Sequence, residues 1–372
     1  MIQDEVIYLD NAATVRAFDS VINYASKIES EFFFNSEALY EPSRLVRESI
    51  EEVRKLVAQT IGAQSEEIFF VGSATEANNW AIKSGAKNKK GTIVTSLMEH
   101  PSVFNTVQFE KSKVLLVNII SGKVDLEHLK TLLNAETTLV SITHVCGQTG
   151  AINDIKAIAK LTRQLAPNAL IHSDGVQAWL KCKFDIKDLD VDLYTMSAHK
   201  IGGLKGLGIL YIKKDLFLSP LLVGGNQEGL RRAGTVNNAA VLSLNYAIND
   251  YLALPTEHYV TLHNMAVFML KRPDVLILNS DTHQIFTACF AGIQAEILQR
   301  LLSDSGVLVG IGSACSSKDR VNRLLKAMRV EDKYVNGAIR LSFGPYNNLE
   351  QIITACDLIN ATIDRIKNME RI

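Results

Sequence analysis

Short apolar runs rich in β-branched residues recur along this chain, with room for a helix between most of them. Seven fall in the first two thirds: EIFFV (67–71), GTIVTS (91–96), KVLLVN (113–118), TTLVSITHV (137–145), ALIHS (169–173), DLYTMS (192–197) and GILYI (208–212). Between many of them lie stretches with apolar positions at helical spacing, such as PSRLVRESIEEVRKLVAQTIG (42–62) and NDIKAIAKLTRQLAP (153–167). Strands that are apolar on both faces and joined by helices predict a mainly parallel sheet inside helical layers, an α/β architecture.

From about residue 245 the pattern changes. Longer helical stretches flank DVLILNS (274–280), HQIFTACF (283–290), GVLVG (306–310) and GAIRLSFG (337–344), which predicts a second, smaller α+β domain. No linker marks the boundary, expected near 245–260.

Composition narrows the picture by exclusion. A chain of 372 residues can bury one large or two moderate cores. Its net charge of −1, without a long basic run, gives no footprint for direct nucleic-acid or membrane binding. No segment approaches the ~18 uninterrupted apolar residues of a membrane span, and the opening MIQDEVIYLD lacks the apolar core of a secretory signal. The five cysteines (Cys146, Cys182, Cys289, Cys315 and Cys356) are scattered, without paired zinc-site spacing, so no metal site is expected. A protein of a reducing cytoplasm is the expectation.

The candidate chemistry gathers at the ends of predicted strands, where open α/β sheets bind ligands. In FFVGSATEANNWAIKSG (69–85) a strand breaks at Gly72 and Ser73-Ala74-Thr75 opens a helix, which suits a phosphate or an ordinary N-cap. His100 follows a strand in LMEHPSV (97–103); it could stack on an aromatic ligand, move protons or be solvated. In ALIHSDGVQA (169–178), Asp174 follows a buried-looking strand and needs either a cationic partner or a helix to cap. A helical turn would set Gln177 beside the same ligand. In DLYTMSAHKIGGLKGLGILYI (192–212), Ser197, His199 and Lys200 end a strand before a glycine-punctuated loop, where the lysine could bond covalently to a carbonyl cofactor. GIGSACSS (310–317) holds Cys315 among small residues, either packed or reactive.

Taken in order, these motifs resemble the class V aminotransferase group of fold-type I enzymes, which use pyridoxal 5′-phosphate (PLP). With Cys315 the resemblance narrows to NifS/IscS-type cysteine desulfurases, and it runs from YLDNAAT (8–14) to IRLSFG (339–344). It implies a large PLP-binding domain over 15–250, and a small domain made of 1–14 and 251–372 that carries the Cys315 loop and Arg340. By the resemblance Lys200 would hold PLP, Asp174 would pair with the ring nitrogen and Gln177 would donate to the phenolic oxygen. His100 would stack on the ring and share in catalysis. Ala74, Thr75, Ser197 and His199 would grip the phosphate, joined by Thr235 of RRAGT from across a homodimer. Arg340 and Asn35 would bind the α-carboxylate of L-cysteine, a task suited to a guanidinium.

The implied reaction converts L-cysteine to L-alanine. The Cys315 thiolate takes the substrate sulfur as a persulfide and passes it to an acceptor protein for iron–sulfur cluster, thio-cofactor or tRNA biosynthesis. Small residues around Cys315 suit a group that visits the cofactor and then an acceptor. A selenocysteine lyase, another class V PLP enzyme, or a catalytically impaired paralogue acting as a binding partner are the alternatives. One departure stands out: where the family usually reads HVNNExG, this chain reads HVCGQTG (144–150), so Gly147 replaces an asparagine that contacts the cofactor. The missing amide is worth about 0.5–1.5 kcal/mol, and Gln148 or a water is expected to replace it. The Gly147→Asn variant is therefore expected to change PLP affinity, absorbance or turnover. Identical values in all three would show that the position carries no function.

Overall fold

The computed structural model describes residues 6–86, 91–311 and 316–369, with backbone alone for 316–321. Its strands are β1 (Ile7–Leu9), β2 (Ile68–Val71), β3 (Thr92–Ser96), β4 (Lys113–Val117), β5 (Ile119–Ile120), β6 (Lys123–Val124) and β7 (Thr137–Ser141). They continue with β8 (Leu170–Asp174), β9 (Leu193–Ser197), β10 (Gly208–Ile212), β11 (Val275–Ile277), β12 (Ile285–Phe290), β13 (Val307–Val309) and β14 (Ala338–Ser342). Seven form one sheet in the order β2-β10-β9-β8-β7-β3-β4, in which β10 alone runs antiparallel to its neighbours. This is the mainly parallel α/β sheet that the apolar runs predicted.

The alternation of side chains explains why the sheet is covered on both faces. Phe69 and Val71 of β2 pack with Trp80, whereas Ile68 and Phe70 join the largest core with Val53 and Val57. In the same way Ile93 and Leu139 face one side, and Val94 and Val140 the other. The helix Ala74–Gly85 covers one face and the helix Glu41–Ile61 the other.

A second core gathers Leu262, Phe286, Phe290, Leu298, Ile339, Leu341 and Ile359 around the antiparallel sheet β11-β12-β14. The start of the chain belongs to it: β1 pairs in parallel with β13, and Leu9 is fully buried there. Bridges from Asp10 to Ser342 and from Gly310 to Arg340 continue that contact. Residues 10–14 then lead from the second core to the edge of the large sheet. β1 and the two-residue strands of the β5–β6 hairpin were not among the predicted strands.

The strand expected over 137–145 ends at Ser141. The reason is local: the Thr143 N–H donates to the buried Glu99 carboxylate at 3.0 Å instead of to a neighbouring strand.

One buried ion pair ties the loop before Thr235 to the sheet. Arg54 donates to Glu228 at 2.7 and 2.9 Å, and the Phe70 N–H donates to the same carboxylate at 2.9 Å. These side chains are 10% and 3% exposed, so water cannot replace a lost partner. Arg54→Ala is expected to lower unfolding free energy by about 3–5 kcal/mol, since it strands a buried carboxylate. Chemical denaturation measures it, and a loss below about 1 kcal/mol would show that Glu228 finds water.

Candidate active site

In the large sheet β3, β7, β8 and β9 are consecutive parallel neighbours. Their carboxyl ends therefore open on one edge, and each is followed by a polar segment. His100 follows β3, Gly147 follows β7, Asp174 ends β8 with Gln177 beyond it, and Lys200 follows β9. This is the arrangement that collects ligands in open parallel sheets.

Asp174 is buried, and its partners are neutral donors: the Val176 N–H at 3.0 Å and Asn78 Nδ2 at 2.9 Å. Burial pushes its carboxyl above the usual range, against these two bonds and the Lys200 charge. Asn78 also donates to Ser102 Oγ at 2.8 Å, and Ser102 Oγ lies 2.7 Å from His100 Nδ1. Asp174 and His100 are thus joined through Asn78 and Ser102. Asn78 Oδ1 is buried without a partner among the described residues. Behind Asp174 the chain needs glycine: a Cβ on Gly175 would lie 2.0 Å from the Tyr194 ring, whose hydroxyl is 2.7 Å from His144 Nδ1.

Lys200 Nζ donates to the carbonyls of Ala12 and Ala13 at 2.6 and 2.7 Å. Gln177 Nε2 donates to the same Ala12 carbonyl at 2.8 Å, and Gln177 Oε1 accepts from Lys181 Nζ at 2.8 Å. Burial and the Arg340 charge lower the Lys200 ammonium to about 8, while Asp10 and Asp174 support it. Burial, helped by the Lys200 and Arg340 charges, lowers Lys181 to about 7. His199 sits beside Thr14, with Nδ1 3.0 Å from Thr14 Oγ1, and burial followed by repulsion from nearby lysines lowers it to about 3. It is a neutral imidazole at any working pH.

Arg340 enters from β14 in the second core. It donates to the Gly147 carbonyl at 2.8 Å and to Asp10 Oδ1 at 2.6 Å, while its buried Nε has no partner among the described residues. Gly147 has ordinary backbone angles, and a Cβ there would lie 3.4 Å from Gln177 Cγ. Gln148, one of the two expected replacements for the missing amide, hydrogen-bonds toward the second core. Its Nε2 is 3.4 Å from Thr287 Oγ1 on β12, and the Thr287 hydroxyl donates back to the Gln148 carbonyl at 2.7 Å.

The remaining candidates divide. Ala74 and Thr75 open the helix Ala74–Gly85, where Ser73 Oγ caps the Glu76 N–H at 3.2 Å. Ser197 is buried at the end of β9. Thr235 is exposed and lines a small cavity with Gly72, Gly206 and Arg232. Asn35 is exposed in its own turn, with Oδ1 accepting from the Glu37 N–H at 3.0 Å, and none of its hydrogen bonds among the described residues reaches the site. Cys315 lies outside the described residues. Cys146 is buried in the largest core, and burial pushes Cys182 up to about 11, and Cys289 and Cys356 to about 12.

Sequence reasoning missed Asn78, Ser102, Asp10 and Lys181. Lys181 had a signal, since it follows Gln177 by four residues. Asn78 had a weaker one, a polar residue on the apolar side of a helix.

The donor set fits PLP on two counts. A buried carboxylate with no ion pair among the described residues matches a protonated ring nitrogen. A half-buried lysine with a lowered ammonium matches a carbonyl-binding amine.

The chain matches the model of the class-V aminotransferases over residues 7–354. It is 30% identical to the cysteine desulfurase IscS of Methanosarcina thermophila, across 99% of this chain and 94% of that protein. A solved NifS-like protein superposes with a TM-score of 0.90 at 30% identity, covering 96% of this chain and 99% of the other. The structure of SspA in complex with cysteine gives 0.81 at 26%, covering 92% and 99%. The chain belongs to the class-V aminotransferase family, in its NifS/IscS group, and has the PLP fold-type I architecture.

The lowered Lys200 ammonium can be read directly. In ligand-free protein Lys200 acetylation, followed by peptide mass spectrometry, is expected to have its pH midpoint near 8, where an ordinary lysine sits near 10.4. Arg340→Ala removes a repelling cation and raises the midpoint; Asp10→Asn removes a supporting anion and lowers it. A wild-type midpoint above about 10 would show that Lys200 is solvated.

Proposed function

We propose that this class-V family member is a PLP-dependent cysteine desulfurase. The reading is carried by one observation: Asp174, Gln177 and Lys200 meet at adjoining strand ends with Arg340, in a chain similar over nearly its whole length to proteins named cysteine desulfurase. L-Cysteine and the Cys315 thiol become L-alanine and a Cys315 persulfide. PLP, when bound, supplies an electron sink for charge developing at the substrate Cα.

The chain's own groups do the rest. Asp174 supplies the buried negative charge that keeps a ring nitrogen protonated, and Asn78 and Ser102 hold it in line with His100. Gln177 donates its amide N–H to the phenolic oxygen. Ala74, Thr75, Ser197 and neutral His199 hold the phosphate, together with Thr235 of the partner subunit. Lys200, lowered to about 8, has a larger free-amine fraction near neutrality than an ordinary lysine and moves the proton at Cα. Arg340 binds the α-carboxylate, with Asn35 closing over it. The Cys315 thiolate attacks the substrate sulfur: the S–S bond forms as the Cβ–S bond breaks, and Cβ takes a proton.

The sulfur then passes to an acceptor protein for iron–sulfur cluster, thio-cofactor or tRNA biosynthesis. A homodimer accords with the exposed Thr235 loop and the neighbouring exposed Val223 and Leu230. The division into 15–250 and 1–14 with 251–372 accords with Leu9 lying in the second core. A reducing cytoplasm accords with the unpaired Cys146, Cys182, Cys289 and Cys356. Among the described residues no helix is long and apolar enough to cross a membrane.

The test is alanine and sulfide production from L-cysteine with a reductant after loading with PLP. Lys200→Ala is expected to cut turnover at least about 100-fold, and Cys315→Ser to abolish sulfide release. A wild type that stays colourless and inert after PLP is added defeats the proposal. Full activity in Cys315→Ser points instead to another class V reaction.

A further inference from the structure

Gln177 is held at both ends of its amide. Its Nε2 donates to the Ala12 carbonyl and its Oε1 accepts from Lys181 Nζ, each at 2.8 Å. A main-chain carbonyl only accepts, a lysine ammonium only donates, and a neutral lysine amine still has N–H groups for Gln177 Oε1. Turning the amide over would set its oxygen against the Ala12 oxygen in every state, and its NH2 against the Lys181 N–H groups when Lys181 is charged. The NH2 end therefore stays with Lys200, which donates to the same Ala12 carbonyl.

Two features make this clamp important in this chain. Position 147 is glycine, and a Cβ there would lie only 3.6 Å from Gln177 Nε2. No side chain at that position can hold the amide or share its task. Leu180 adopts a left-handed conformation, φ 60°, between the Gln177 turn and Lys181. That conformation is unfavourable for a leucine. Lys181 is half-buried, directed inward rather than spread on the surface.

We propose that Lys181 is a positioning residue that fixes the Gln177 amide with its NH2 toward the cofactor and Lys200. This rests on the proposed function, in which Gln177 donates to the cofactor's phenolic oxygen. Lys181 itself touches neither cofactor nor substrate.

A double-mutant cycle between Lys181→Met and Gln177→Ala tests it. It is read as the PLP dissociation constant and, in ligand-free protein, as the pH midpoint of Lys200 acetylation. In the wild-type background Lys181→Met is expected to weaken PLP about tenfold, the equivalent of one hydrogen bond. In the Gln177→Ala background the same change costs less than about twofold. Lys181→Arg, which restores a donor, stays within about twofold of wild type. The acetylation midpoint rises more when Gln177 is present than when it is absent, because a freed amide turns its oxygen toward the Lys200 ammonium. Lys181→Leu takes the place of the methionine variant if that one does not fold. Equal effects of the Lys181 change in both backgrounds overturn the inference. A wild type that takes up no PLP overturns the proposed function instead, and the ligand-free cycle then decides the inference alone.

Discussion

A single backbone oxygen organises the site. The Ala12 carbonyl accepts from both Lys200 and Gln177, so the segment after β1 sets the relative position of two side chains delivered by different strands. That segment can reach them only because β1 is anchored on β13 in the second core, with Asn11 donating to the Ser342 carbonyl at 2.9 Å and to Asn347 Oδ1 at 3.1 Å. Ser342 Oγ in turn accepts the Ala12 N–H at 2.8 Å. The carboxyl edge of the large sheet is thus closed by a strap fastened to another core. Separating the two cores would release Ala12, and with it the reason for Lys200 and Gln177 to face the same place.

Charge follows from that closure. Lys200, Lys181 and Arg340 are drawn together, and among the described residues Asp10 and Asp174 are carboxylates that oppose them. A cluster of cations in a site sheltered from water lowers each amine and favours anionic ligands. Phosphate and carboxylate groups are such ligands, so the same electrostatics that makes Lys200 a usable base also recruits the molecules it acts on. Asp10 moderates the cluster: it pairs with Arg340 and supports the Lys200 ammonium.

The departure at Gly147 has a structural counterpart. Its backbone carbonyl is used, holding Arg340, while its missing side chain leaves Gln177 as the amide on that side of the site. Gln148 is spent on Thr287, linking the loop after β7 to the second core. The HVCGQTG segment thereby serves the contact between cores as much as the cofactor pocket.

The alternation and spacing of apolar runs determined the strands of the large sheet, β11 to β14 of the second core and the helices over the sheet, because side-chain burial on a pleated sheet repeats every two residues. The motifs also singled out Asp174, Gln177, Lys200 and His100, since each follows or ends a recognisable strand, and the family resemblance added Arg340. Contacts between segments far apart in the chain were not legible. No local pattern says that residues 7–9 join β13, that Ala12 receives Lys200, or that Asp10 occupies Arg340. Nor did spacing reveal that Asn78 and Ser102 connect Asp174 to His100. Those bonds depend on which surfaces meet once both cores are packed, and hydrogen bonds between side chains form only where packing has already brought donor and acceptor within about 3 Å.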